Sequence, residues 1–300
     1  MKIGRIRIGE RTIFAAVKDG KTVMLSELIG IDEDQLASGF FAIYNENAES
    51  LKKRDFSGME GLKPGSYGMD VPVKSIPNVR DFYAFEEHVR NGRRNRGLDM
   101  VPEWYEFPVF YFSNTSSVIP SGADVSFPPS SIQRDFEAEF AFVVKDECRN
   151  LTPEESLDSL LGVTCANDWS ARDIQMKEVR VGLGPAKGKD FATSLGPWIL
   201  TMEEVIPREK NGRIDLPVTV YRNGSVYTEG NLKSMYWTVG DLLARASDSA
   251  TLVPGDVIMT GTVGNGCLYE HGGGPDGWLK SGDVISIEIE GPGELVNRVM

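Results

Sequence analysis

Two glutamates stand on one side of a segment that otherwise reads as a buried strand. In RDFEAEFAFVV, residues 134–144, aromatic residues alternate with Glu137 and Glu139. This period of two is typical of a β-strand and places both carboxylates opposite the aromatic rings. At strand spacing they stand about 6.6 Å apart, close enough to share one cation. A strand with one solvent-facing surface would give the same pattern, so these residues alone leave both interpretations open.

A third carboxylate lies where a predicted strand meets a predicted helix. Asp168 ends the apolar run VTCAND, and Ser170 marks the start of the next helix. Functional groups are common at such junctions. A set of oxygen ligands favours a hard cation such as Mg²⁺ or Ca²⁺. Two histidines and three scattered cysteines make a zinc site of the usual nitrogen and sulfur kind hard to assemble.

A lysine in GLGPAKGKDFATS offers a positive charge for this set. The segment resembles a phosphate-binding loop, but Leu183 stands where a glycine is needed, and Asp190 follows Lys189 in place of Ser or Thr. Lys189 therefore has another role. An ammonium group near several carboxylates would offset their charge, and a surface lysine in a turn is the alternative.

Composition excludes some classes of partner. The chain has 300 residues, 41% of them hydrophobic, and a net charge of −12. It is typical of a globular protein that repels nucleic acid. No segment resembles a signal peptide or is long enough to span a membrane, which predicts a cytoplasmic protein. The odd number and wide spacing of the cysteines argue against a disulfide framework.

The arginine cluster at residues 89–97 predicts a solvated loop, with an anion-gathering lid as the alternative.

The order of elements predicts a β-rich α+β protein. Three short strands and a helix near residues 33–53 precede a Pro- and Gly-rich stretch, which suggests a boundary near residue 70. This divides the chain into a small N-terminal β-domain, residues 1–70, and a larger domain, residues 71–300. Asn223-Gly224 between alternating residues predicts a hairpin. In TPEESLDSLLG, Thr152 as N-cap and Gly162 past the end predict a short helix.

Several long motifs together resemble the fumarylacetoacetate hydrolase family. They are DFEAEFAFVV, CANDWSARDIQ, GKDFATSLGPWIL, LKSMYWTVGDLL and PGDVIMTGTVGNG, and the match runs through most of residues 78–290. DFYAFEEHV and PVFYFSNTSSVIPSG look more like the fumarylacetoacetase branch than like the shorter hydratase and decarboxylase relatives. The resemblance implies a mixed β-roll with the active site at its mouth, and a homodimer.

The resemblance also implies a role for each candidate site residue. The ligands of one Mg²⁺, or of Ca²⁺ or Mn²⁺ in its place, would be Asp81, Glu137, Glu139 and Asp168. His88 would be the general base, oriented by Glu270, and Lys189 with Thr193 would line the cation and the developing charge. The implied substrate contacts are Tyr83, Tyr111, Arg172, Gln175, Thr193 and Thr262. The sequence departs from the family in the arginine-rich segment after His88 and in a shorter loop before Glu270.

These roles predict a metal-dependent hydrolase that cleaves a C–C bond in a diketo acid, such as fumarylacetoacetate or an acylpyruvate, in aromatic catabolism. An imidazole that titrates near neutrality can take a proton from water. The alternative is a lyase, acting as a hydratase, dehydratase or decarboxylase of a 2-keto acid on the same scaffold. A third possibility is a ligand-binding protein without catalysis.

Overall fold

The computed structural model describes residues 1–300 and contains twenty strands. In chain order they are β1 Lys2–Ile8, β2 Arg11–Lys18, β3 Lys21–Met24, β4 Gly68–Met69, β5 Val79–Phe82, β6 Phe110–Ser113, β7 Val118–Pro120, β8 Asp124–Val125, β9 Arg134–Asp135, β10 Ala138–Val144, β11 Leu160–Asp168, β12 Ser170–Ala171, β13 Thr193–Thr201, β14 Glu209–Lys210, β15 Arg213–Ile214, β16 Pro217–Arg222, β17 Ser225–Asn231, β18 Val257–Met259, β19 Val284–Ile289 and β20 Gly293–Val299.

Helices are few and mostly short. They are α1 Leu25–Ile29, α2 Glu33–Lys53, α3 Glu86–Arg94, α4 Arg172–Arg180, α5 Met202–Val205 and α6 Val239–Ser247. Short 3₁₀ turns occur at Pro102–Tyr105, Thr115–Ser117, Ser156–Ser159, Ile206–Arg208, Leu232–Ser234 and Tyr269–His271. The β-rich α+β class is therefore confirmed. No helix has both the length and the apolar character needed to cross a membrane.

An eleven-stranded mixed sheet carries the candidate site residues. Its order is β3-β2-β1-β13-β11-β10-β18-β5-β6, with β4 on β1 and β7 on β13. A five-stranded sheet, β17-β16-β19-β20-β8, packs against it around a core of 39 buried hydrophobic residues. Because β11, β10, β18 and β5 are successive neighbours, the residues they carry are brought together from distant parts of the chain.

The N-terminal segment forms its own hydrophobic cluster but shares the large sheet. Phe14 on β2 stacks on Phe40 of α2, with ring centroids 4.0 Å apart. Strand β1 pairs with β13 through Lys2–Leu200 and Ile3–Ile199. The division near residue 70 stays a prediction.

Predictions of single helices and hairpins are confirmed where one turn or one helix cap determines the local backbone conformation. The helix near residues 33–53 is α2, capped by Asp32 and kinked at Gly39. The Asn223-Gly224 hairpin is confirmed by β16 and β17, and both turn residues have positive φ, at 54° and 78°. Those angles match the turn type that joins two-residue hairpins.

Three local predictions were wrong. The helix expected after Thr152 is only the 3₁₀ turn at Ser156–Ser159, where Ser156 and Ser159 hydroxyls donate to the carbonyls of Pro153 and Ser156. Serine side chains that bond the backbone in this way compete with a continuous helix. The second helix expected after VTCAND is present as α4, and only its predicted start was wrong: it begins at Arg172, because Ser170 pairs with Asp135 in a short β-ladder.

The arginine-rich segment is the third correction. Residues 89–94 belong to helix α3 instead of a loop, with acidic Glu86 and Glu87 in its first turn and Arg93 and Arg94 in its last. This order complements the helix dipole. His88 is therefore held on a helix, with its side chain buried.

The close approach of β11 to β13 predicts a glycine requirement at residue 162. A Cβ atom there would lie 2.1 Å from the Leu200 carbonyl oxygen. Gly162→Ala should lower the free energy of unfolding by about 1–3 kcal/mol, because the backbone must move to relieve the overlap. Urea denaturation at one protein concentration measures the change. Gly58→Ala, where a Cβ meets nothing within 4 Å, is the matched control. Equal stability of both variants would contradict the packing described.

Candidate active site

Ten of the thirteen predicted site residues line one cavity of about 300 Å³, and Asp168, Thr193 and Glu270 do not. Its wall combines carboxylate and basic groups with apolar side chains, and it is lined by Asp81, Phe82, Tyr83, His88, Arg96, Val109, Phe110, Tyr111, Glu137, Glu139, Arg172, Gln175, Met176, Val179, Gly184, Pro185, Lys189, Gly261, Thr262 and Tyr269. The cavity is large enough for a small organic acid.

Four carboxylates are buried in this region. Exposure is 6% for Glu137, 1% for Glu139, 2% for Asp81 and 0% for Asp168. Every residue of β10 is buried, so both faces of the strand lie inside the protein. The two glutamates therefore do not lie on a solvent-facing surface of a strand, and that interpretation of the alternation is wrong. Asp168 lies behind the cavity wall, at the end of β11.

A lysine and a tyrosine connect the carboxylates. The Lys189 ammonium donates to Glu137 Oε2 and, at 2.6 Å, to Asp168 Oδ2. The Tyr111 hydroxyl lies 2.5 Å from Asp168 Oδ2 and 3.1 Å from Asp81 Oδ2. Lys189 is 3% exposed, which excludes the surface-lysine alternative. Its ammonium offsets part of the negative charge, as expected.

The electrostatics of the four carboxylates are unequal. Burial would raise the pKa of Glu137, but the charges of Arg172 and Lys189 outweigh it and hold that pKa below its usual range. Burial, followed by the charge of Asp168, raises the pKa of Asp81. Burial, followed by the charge of Asp81, does the same for Glu139. Burial also raises the pKa of Asp168, despite Lys189. The protein's own cations therefore leave much of this negative charge uncompensated.

A divalent cation fits the residues present. Asp81 Oδ1 and Asp168 Oδ1 are buried without a hydrogen-bond partner, which is costly for a carboxylate oxygen. Mg²⁺, Ca²⁺ and Mn²⁺ are hard cations that prefer oxygen ligands of this kind. The donor set therefore suits such an ion, which would supply the missing positive charge.

His88 and Glu270 form a buried pair beside the carboxylates. His88 Nδ1 lies 3.1 Å from Glu270 Oε2, and His88 Nε2 lies 3.8 Å from Glu137 Oε1. The backbone N–H of Asn265 and the side-chain amide of Asn91 donate to Glu270 Oε1, at 3.0 Å and 3.1 Å. Assigning the ring proton to Nδ1, facing Glu270, leaves Nε2 as the basic atom on the side of the carboxylate cluster.

The residues expected to contact substrate divide into two groups. Tyr83, Tyr111, Gln175, Thr262 and Arg172 line the cavity. Thr193 does not line it, because it pairs with Asp168 inside the sheet.

The guanidinium of Arg172 is committed to protein acceptors. Its nitrogens donate to Asp135 Oδ2 at 2.8 Å, Glu137 Oε1 at 2.7 Å and Gln175 Oε1 at 3.1 Å. Arg172 therefore orients Glu137 and Gln175 in this structure.

Sequence reasoning missed two residues of this region, Asp135 and Tyr269, and left a third, Arg96, without an assigned role. Asp135 accepts from Arg172 and from the backbone N–H groups of Leu268 and Tyr269. Asp135 lies two residues before Glu137 and therefore continues the same alternation. The pattern that indicates Glu137 and Glu139 could have identified Asp135 as well. Arg96 lines the cavity, and the sequence had placed it in the arginine cluster of residues 89–97 without choosing among those arginines. Tyr269 also lines the cavity, and no sequence pattern indicated it.

Comparisons with known proteins show which family this chain resembles. The family pattern described as fumarylacetoacetate (FAA) hydrolase C-terminal matches residues 78–300. The chain is 31% identical over 270 residues to the fumarylacetoacetase of Arabidopsis thaliana and 32% identical over 259 residues to that of Rattus norvegicus. These matches cover 73% and 72% of this chain, but 62% and 60% of the relatives' own lengths.

A solved structure has the same fold over the whole chain. A fumarylacetoacetate hydrolase from Exiguobacterium antarcticum matches 100% of this chain and 99% of its own, with a TM-score of 0.77 and 25% identity. The protein therefore belongs to the fumarylacetoacetate hydrolase family of enzymes.

Proposed function

We propose that this protein is a metal-dependent hydrolase that cleaves a C–C bond in a diketo acid of the fumarylacetoacetate or acylpyruvate type. The observation that carries the proposal is the His88–Glu270 pair beside a cavity lined by buried carboxylates. The similarity to two curated fumarylacetoacetases, at 31% and 32% identity, supports the same reaction class. Mg²⁺ is the proposed cation, with Ca²⁺ and Mn²⁺ as alternatives, held by Asp81, Glu137, Glu139 and Asp168.

The bound cation would polarise the substrate's carbonyl oxygens and stabilise the charge that develops on them. His88 Nε2 takes a proton from the attacking water, and Glu270 keeps the imidazole oriented and stabilises its protonated form. Lys189, fixed by Glu137 and Asp168, supplies positive charge where the enolate leaving group develops. Among the arginines of residues 89–97, Arg96 lines the cavity and is the candidate partner for a substrate carboxylate.

A lyase that hydrates, dehydrates or decarboxylates a 2-keto acid is the alternative on the same scaffold. A histidine held by a carboxylate favours hydrolysis, because that reaction needs water as the nucleophile. Incubating the protein with Mg²⁺ and a panel of diketo acids, followed by product analysis, distinguishes the two. Two acid products support the hydrolase. Loss of CO₂ or of water would establish the lyase, and no turnover would favour a ligand-binding protein.

The proposed assembly is a homodimer acting in the cytoplasm, in the breakdown of aromatic compounds. Closed twofold symmetry is the commonest arrangement of soluble oligomers. Light scattering at micromolar concentration should give twice the 33.1 kDa mass of the chain. A mass near that of one chain would refute the dimer.

Removing one carboxylate should weaken metal binding with little effect on the fold. Glu139 accepts a 2.9 Å hydrogen bond from the backbone N–H of Gly261, which a glutamine oxygen can still accept. Glu139→Gln should therefore lower Mg²⁺ affinity by at least about tenfold, since a charged ligand is lost. Calorimetric titration measures this, with Glu229→Gln, an exposed change on β17, as control. Unchanged affinity in Glu139→Gln would remove this residue from the metal site.

Replacing the proposed base should slow turnover while preserving the binding of cation and substrate. His88→Ala should lower single-turnover rates by about 10²–10⁴, the usual contribution of a positioned acid–base group. His271→Ala is the matched control, because His271 is the other histidine of the chain and is exposed. If His88→Ala lowers the melting temperature but reacts at a near-normal rate, His88 has only a structural role.

A further inference from the structure

Three buried side chains meet on the side of His88 that faces away from Glu137. Cys267 Sγ lies 3.5 Å from Glu270 Oε2 and 3.9 Å from His88 Nδ1. The third distance, His88 Nδ1 to Glu270 Oε2, is 3.1 Å. Exposure is 0% for Cys267, 4% for His88 and 5% for Glu270. The fold therefore assembles nitrogen, sulfur and oxygen donors, a set that looked hard to assemble from sequence spacing.

The triangle of donor atoms has the dimensions of a tetrahedral cation site. Zn–N and Zn–O bonds of about 2.0–2.1 Å and Zn–S bonds of about 2.3 Å place pairs of ligand atoms about 3.3–3.6 Å apart. The three observed distances bracket that range. A cation could therefore be accommodated with side-chain shifts of a few tenths of an ångström.

Contacts outside the triangle position the glutamate and the cysteine. Glu270 Oε1 accepts from Asn91 and Asn265, which leaves Oε2 directed at the triangle. His88 Nε2 faces the Glu137 carboxylate at 3.8 Å. The Cys267 carbonyl accepts from the Tyr227 hydroxyl at 3.0 Å, which fixes the backbone that carries the thiol.

We propose that His88 Nδ1, Cys267 Sγ and Glu270 Oε2 form a second cation site, which takes a thiophilic dication such as Zn²⁺. Thiolate and imidazole favour Zn²⁺ over Mg²⁺, whereas the carboxylate cluster has only oxygen donors. Binding releases the thiol proton to solvent, and the ring proton of His88 moves from Nδ1 to Nε2, which leaves Nδ1 free to bind the cation. It also replaces the hydrogen bond between His88 and Glu270, so Zn²⁺ inhibits the enzyme. The inhibition rests on the role proposed for His88, but the binding does not.

Cobalt spectroscopy tests the binding without relying on turnover. With Mg²⁺ in excess, Co²⁺ should give a near-ultraviolet sulfur-to-cobalt charge-transfer band that saturates at one equivalent per chain. Cys267→Ser should abolish the band, and Cys148→Ser should retain it, because Cys148 lies outside the cluster. Glu139→Gln should also retain it, since the carboxylate cluster is a different site. Absence of the band in the unsubstituted protein, or its loss in Glu139→Gln, would overturn the proposal.

Two further measurements test the sulfur ligand directly and the effect of Zn²⁺ on turnover. Zinc K-edge absorption of the unsubstituted protein should show one sulfur ligand at about 2.3 Å, so the test stands even if Cys267→Ser does not fold. No sulfur ligand would overturn the site. Stoichiometric Zn²⁺ should lower turnover at least tenfold in excess Mg²⁺. If the cobalt band forms but turnover is unchanged, the site stands and the role of His88 as base is wrong.

Discussion

Buried negative charge is the constraint on which the rest of this structure depends. Asp135, Glu137, Glu139, Asp168 and Asp81 are all at least 94% buried, and only Lys189 and Arg172 contact members of the set directly as cations. Burying an ionised carboxylate without a partner is strongly unfavourable. Burial is the largest cause that raises the pKa of Asp81, Glu139 and Asp168. A cation in the cavity would offset this charge, so the proposed metal binding would also stabilise the fold.

The sheet order explains how such a cluster is positioned accurately. Asp81, Glu139 and Asp168 lie on β5, β10 and β11, which are separated only by β18 in the large sheet. Rigid neighbouring strands hold side chains more accurately than loops do. The Asp135–Arg172 ion pair then joins β9 to the start of α4, and the same guanidinium holds Glu137. The Asp135–Arg172 ion pair therefore both joins two elements of the fold and helps to position Glu137 in the cavity wall.

Sequence patterns captured what is local or periodic. The alternation around Glu137 and Glu139 and the Asn-Gly hairpin are each decided by a few neighbouring residues, and the family motifs supplied the remaining candidates. The helix expected after Thr152 failed because serine side chains compete for the backbone there. The approach of Cys267 to His88 joins residues 179 positions apart, so only the packing of α3 against the turn at Tyr269–His271 creates it. The commitment of Arg172 to Asp135 likewise depends on the fold.

The most direct test of this account is the melting temperature of the protein as a function of Mg²⁺ concentration at constant ionic strength. A ligand that binds only the folded state adds RT ln(1 + [L]/Kd) to stability, or about 2.7 kcal/mol at a hundred times Kd. The melting temperature should rise with the logarithm of Mg²⁺ concentration above Kd. A melting temperature that stays constant across that range would mean that the buried carboxylates are neutralised by protons and the protein's own cations, and would contradict the central claim.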